Sequence, residues 1–198
     1  MVRSLFARLG AETVALLDAA LDVLREAGAT VEDVELPALD ELSTGGLEVL
    51  IYEFKRDLNA YLAGVTNGPS SLREVIDLND ENPERIPHGQ VLLLAAEATS
   101  GTLREASYVR ARERDLRLSR AQGLDPMFAG GFTALLSPGN WMAGIGAKAG
   151  YPSATVPVGR AGNAPVGLTF TGPKWSDVTL LSLVADYEAR RGPWEAAR

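Results

Sequence analysis

"AGYPSATVPVG", Ala149 to Gly159, is the stretch from which the rest of the chain is read. Its centre, Ser153 to Val156, suits a short buried strand, and each end is punctuated. Gly150 permits a positive φ or a close backbone approach, and Pro152 pushes Tyr151 toward an extended conformation. Pro157 has no N–H for a ladder, so the strand is expected to end there or to lie at a sheet edge. Such punctuation holds a wall rigid. "FTALLSP" (Phe132–Pro138) upstream and "PVGLTFTG" (Pro165–Gly172) downstream read as two further buried strands. A closing helix is predicted over Asp177–Arg190, with Ser176 as its N-cap and Val178, Leu181, Val184 and Tyr187 on its inner face.

The region before these strands is mostly helical. Val14, Leu17, Leu21 and Leu24 recur at helical spacing within Glu12–Ala27, and Gly28 fits the left-handed residue that follows a helix. "ATVEDVELP" then reads as a strand stopped by Pro37. Residues Gly46–Ala63 carry one apolar stripe of Leu47, Leu50, Ile51, Phe54, Leu58, Tyr61 and Leu62, expected to pack into a core. Ser71 and Glu74 form a capping box ahead of a helix over Leu72–Leu78. Another helix is expected over Gly89–Ala98. The arginine-rich run Thr102–Gln122, interleaved with Glu105, Glu113 and Asp115, reads as a solvated helix face that Gly123 ends. The pattern is α/β: one domain over 1–198, mainly helical over 1–123 and strand-rich over 124–198 with a C-terminal helix.

Composition narrows the function classes. The net charge of −7 opposes nucleic-acid or anionic-membrane partners, which are held by clustered Lys and Arg. There is no cysteine, which removes disulfides and thiolate chemistry and suits a reducing cytoplasm. No apolar run reaches the ~20 residues of a membrane span. His88 is the one histidine, and no metal-ligand spacing surrounds it, so a metal site is not expected.

A catalytic serine needs a base within reach. The available bases are His88, Lys55, Lys148 and Lys174, and the chain has no GxSxG or SxxK arrangement. Ser70 and Ser71 sit at a helix start, where capping accounts for them. Lys148, one turn before "GYP", is the lysine best placed for a pocket, yet it has no activated partner in sequence. No Gly-rich phosphate loop is present.

Taken together, "LLSPGNWMAGIGAKAGYPSATVPVG" (Leu135–Gly159) and "APVGLTFTGPKWSDVTLLSLVADYEAR" (Ala164–Arg190) resemble the C-terminal part of the amidase signature family. "LREAGATVEDVELP", "EFKRDLNAYL", "SLREVIDLN" and "IPHGQ" are similar to earlier landmarks of that family in the same order, so the resemblance covers nearly the whole chain. It implies a mixed β-sheet flanked by helices and hydrolysis of carboxylic amide C–N bonds without a metal or cofactor. In that family a Ser–cis-Ser–Lys triad does the chemistry, and backbone N–H groups of a Gly/Ser-rich loop hold the oxyanion. Neither that loop nor the triad maps onto any residue of this sequence, so neither Lys148 nor Ser137 is assigned to it. Two smaller departures are His88, where the family often has an aromatic residue, and Asp177, where Glu is common.

The expectation is a C-terminal fragment of an amidase, inactive alone, that carries part of the pocket for a small-molecule amide. Asn140, Trp141 and Tyr151 are the candidate pocket residues. Surface that the rest of such a fold would cover is expected to drive homo-oligomer formation or association. The alternatives are a stand-alone module binding a small ligand or a protein, and a hydrolase that uses its own Ser, Lys or His in a new arrangement.

Overall fold

The computed structural model describes residues 1–36, 39–44 and 47–193. The chain divides into two compact units, 1–44 with 115–198, and 45–114.

In the first unit, three strands, β1 (Leu135–Pro138), β2 (Ser153–Ala161) and β3 (Ala164–Thr171), form a sheet ordered β1-β3-β2. Both pairings are antiparallel, with Leu136 opposite Phe170 and Val156 opposite Leu168. The α/β class holds, and the strands of this chain are its antiparallel part: among the described residues the only parallel pairing is the isolated bridge between Val2 and Val34. That bridge lies beside β1, where the Val2 N–H donates to Leu136 O at 3.0 Å and the Val34 N–H donates to Met1 O at 2.8 Å. The strand expected over "ATVEDVELP" is therefore reduced to Val34. Its acidic neighbour Asp33 turns instead to the Arg3 guanidinium, at 3.0 Å. Pro37, which was to stop that strand, and Gly46, which was to open the next helix, lie outside the described residues.

Successive side chains on a strand point to opposite faces, and β1 shows the consequence. Leu136 enters a core with Val156, Leu168 and Phe170, covered by α1 (Ala11–Glu26) through Leu17, Leu21 and Leu24. Leu135 enters a different core with Leu118, Leu124, Met142, Ile145 and Ala149. The sheet thus has helices on both faces, an α/β layering. The last helix of the unit, Asp177–Arg190, has the expected bounds, and of its expected inner face Val184 and Tyr187 pack inward while Val178 and Leu181 do not. It buries Leu180 and Tyr187 and leaves Val178 and Leu181 exposed. Ser176 does not cap it with its side chain; the hydroxyl donates to Pro173 O at 2.7 Å.

β2 is a sheet edge among the described residues, and its register shifts between Pro157 and Gly159. The proline does not end the strand. It is accommodated because an edge position and a bulge both spare the missing N–H.

The second unit is built on α3 (Glu48–Leu62), α4 (Leu72–Glu81) and α5 (Val91–Glu97), labelled with α2 taken as Leu39–Thr44 of the first unit. Leu72, Ile76 and Ala96 are its buried centre, with Ile51, Phe54, Leu58 and Leu93 against them. The predicted stripe on α3 is thereby narrowed, since Leu47, Leu50 and Tyr61 are exposed. The capping box forms with one change. Ser71 Oγ accepts the Glu74 N–H at 3.3 Å, but the Glu74 carboxylate reaches back to Ser70, not Ser71. Lys55 Nζ donates to Glu97 O at 2.7 Å and Thr99 O at 3.0 Å, a cation on the carbonyl end of α5.

The arginine-rich helix, α6 (Ala106–Leu116), does not end at Gly123. It passes into a π-helical segment, Arg117–Leu124, and then α7 (Asp125–Ala129). A Cβ on Gly123 would lie 2.4 Å from Leu118 O, so glycine is what allows the wide turn to close there.

Candidate functional site

The segment between β1 and β2 carries the candidate residues. β1 stops at Pro138, and Gly139 turns the chain with φ +43. Asn140 and Trp141 follow, and α8 (Ala143–Ala149) returns the chain to Gly150, which takes the left-handed conformation at φ 69. Tyr151 and Pro152 then lead into β2. The glycine expected to permit positive φ does so.

These three residues do not share one site. Trp141, 39% exposed, lines a cavity of about 490 Å³ in the first unit. The other walls come from far away in sequence: Ser4, Leu5 and Arg8 from the 3-10 turn Arg3–Arg8, then Glu35 and Leu36, then Leu39 and Asp40 at the start of α2. Asn140 is exposed on the adjoining turn and is not among the lining residues. Tyr151 lies elsewhere. Its ring is 6.2 Å from that of Phe128 and 5.9 Å from the Arg120 guanidinium, and its hydroxyl donates to Asp125. Burial, then the bond to Asp125, hold the Tyr151 phenol above its ordinary pKa, so it remains a neutral donor. Arg120 also donates to Ala149 O at 2.7 Å, tying the end of α8 to the π-helical segment.

Of the possible nucleophiles and bases, Lys148, Ser70 and Ser71 have partners of their own. Lys148 Nζ pairs with Asp115 Oδ1 at 3.2 Å, and that carboxylate is 2% exposed. Ser137 is fully buried in β1 opposite Thr169, and its hydroxyl has no hydrogen-bond partner among the described residues. Ser70 Oγ donates to Glu74 at 2.9 Å, and Ser71 caps α4. His88 lines a smaller cavity of about 270 Å³ in the second unit with Asn79 and Gln90. Among the described residues no group of three or more His, Asp, Glu or Cys side chains is arranged to hold a metal ion. No described helix is long and apolar enough to cross a membrane.

Arg8, Glu35 and Asp40 went unnoticed in the sequence because nothing local marks them. They meet Trp141 only through the packing of four separate segments.

No protein-family model matches the chain, and no curated protein matches it. Solved structures do. The native peptide amidase from Stenotrophomonas maltophilia is 32% identical over 98% of this chain, with a TM-score of 0.85. A structure of peptide amidase in complex with the competitive inhibitor chymostatin is 32% identical over 94% of this chain, at 0.82. An amidase family protein from Bacillus anthracis is 26% identical over 97%, at 0.80. The chain spans about two fifths of those structures, 42%, 41% and 38% of their lengths. In fold and in sequence the chain is similar to these amidases over nearly its whole length, and it matches a part of their fold.

Proposed function

We propose that this chain is the non-catalytic part of a carboxylic amide hydrolase of the reducing cytoplasm. It supplies a wall of the substrate pocket, while the Ser–cis-Ser–Lys triad and the oxyanion loop come from outside these residues. The reading rests first on the match to peptide amidase over 98% of the chain. It is supported by the commitments of the local candidates: Lys148 is held by a buried carboxylate, and Ser137 is enclosed in a strand. Peptide amides are the substrate class suggested by that relative. Trp141, with its exposed ring on a cavity, is the residue we assign to substrate contact. Asn140, on the adjoining turn, is the second residue we assign to that wall, and Tyr151, held by Asp125, we assign to the rigidity of the segment that carries both.

The test is ammonia release from C-terminally amidated dipeptides and from simple aliphatic and aryl amides by the purified chain. No turnover above the uncatalysed rate is expected. Turnover that Lys148→Ala abolishes would overturn the proposal and make the chain a hydrolase in its own right.

A further inference from the structure

β2 turns a row of main-chain groups away from the sheet. In an antiparallel pair, residues alternate between those that exchange both main-chain hydrogen bonds and those that exchange none. The Gly172 N–H donates to Pro152 O at 3.0 Å, and the register sets Ser153 opposite Thr171, Ala154 opposite Phe170 and Thr155 opposite Thr169. Ala154 and Val156 therefore bond to β3, while Ser153, Thr155 and Pro157 face the sheet edge. Pro157 fits the outward set, because it has no N–H to give β3. Ser153 and Thr155 are exposed. Each presents an N–H and a C=O at the edge, and Pro157 presents a C=O alone.

Such an edge accepts another strand unless charges or prolines guard it. From Ser153 to Gly159 there is no charged residue. Arg160, the next charge, donates to Asn163 O at 2.7 Å within its own hairpin. Pro157 is thus the one guard, and it leaves the residues before it open.

We propose that two copies of this chain pair through the β2 edge, antiparallel about a two-fold axis at Ala154. Ser153 of one copy then faces Thr155 of the other, and each such pair exchanges both main-chain bonds. The ends of the open stretch single out a second copy as the occupant. Pro157 stops the ladder on one side, and Tyr151 stops it on the other, its N–H already donated to Gly146 O at 2.9 Å. Ala154 lies midway between them, so the axis sets each stop opposite the other and neither is asked for a bond it cannot make. A ladder this short is marginal by itself. Apolar surface adjoins it: helix Asp177–Arg190 packs against β2, and its Val178 and Leu181 are exposed. The pairing needs no amide hydrolysis by the chain.

Sedimentation velocity from about 1 to about 100 µM, with amide hydrogen exchange read residue by residue at both ends of that range, tests it. A concentration-dependent dimer is expected. In it the Ser153 and Thr155 amides should exchange at least about tenfold more slowly than in the dilute chain, while Ala154 and Val156 stay protected in both. Thr155→Pro removes an outward N–H without touching the ladder to β3, and should weaken the dimer at least about tenfold. Thr155→Val keeps that N–H and loses the hydroxyl that meets Thr169 Oγ1 at 2.7 Å, and should dimerise as the parent chain does. Melting curves check that both variants fold; if the proline variant does not, the exchange data on the parent chain decide. A chain monomeric throughout, or a dimer whose Ser153 and Thr155 amides stay unprotected, overturns the inference. So does protection of those amides in the dilute monomer, where the chain would cover its own edge, or equal weakening by the proline and valine variants.

Discussion

Lys148, the lysine that the sequence places best for a pocket, is engaged in an ion pair with Asp115. A buried carboxylate left without its cation is costly, about 3 kcal/mol or more when one partner of a buried pair is removed. Lys148→Ala is therefore expected to lower stability by about that amount, read as a shift in the urea midpoint at neutral pH; an unshifted midpoint would mean that the pair contributes nothing. Gly150 is simpler. Its φ of 69 suits few residues other than glycine, and Gly150→Ala should cost about 1 kcal/mol in the same experiment. Tyr187 adds a pH dependence. Burial raises its phenol above 10.0, so the folded state favours the neutral form. Its contribution is complete below the unfolded pKa and is lost as pH rises from about 10 through the folded value. Denaturation should thus become easier on the alkaline side, and Tyr187→Phe should flatten that slope.

At the scale of elements, the π-helical segment is the feature most exposed to a single change. A methyl group on Gly123 would meet Leu118 O at 2.4 Å, a backbone atom that cannot step aside. Gly123→Ala is expected to cost about 1–3 kcal/mol, as overpacking does; circular dichroism with urea titration measures it. The neighbouring helix explains what the sequence could and could not reveal. The bounds of Asp177–Arg190 follow from its pattern, but its face only in part. Val178, Leu181 and Val184 form one apolar row, and Leu180, Leu183, Val184 and Tyr187 form another at spacings of three and four. Local periodicity cannot choose between overlapping rows; the sheet chooses, by seating Tyr187 against Phe170 at 6.2 Å between ring centroids. The three strands were legible for a different reason, their glycine and proline punctuation. Of the residues that line the cavity, only Trp141 stands out in the sequence, inside a motif. Arg8 and Glu35 are brought to it by chain segments distant in sequence, which no local pattern records.

For the whole molecule, the outcome of that choice is an apolar surface. Trp175 is 83% exposed, Val178 79% and Leu181 64%. Grouped on and beside one helix, they form the kind of patch that associates. We expect concentration-dependent association at micromolar protein in sedimentation. The pair Val178→Glu and Leu181→Glu should reduce it while changing stability by no more than about 0.5 kcal/mol each, as exposed substitutions do. A monodisperse monomer at the same concentration would contradict this expectation.

The central claim is that the amide-cleaving groups lie outside these residues. Its most direct test is labelling of the folded chain with a fluorophosphonate, which reacts with activated serines, followed by peptide mass spectrometry. The account predicts no serine labelled above the level found in the urea-unfolded chain. Selective labelling of one serine in the folded protein, lost in Lys148→Ala, would contradict it.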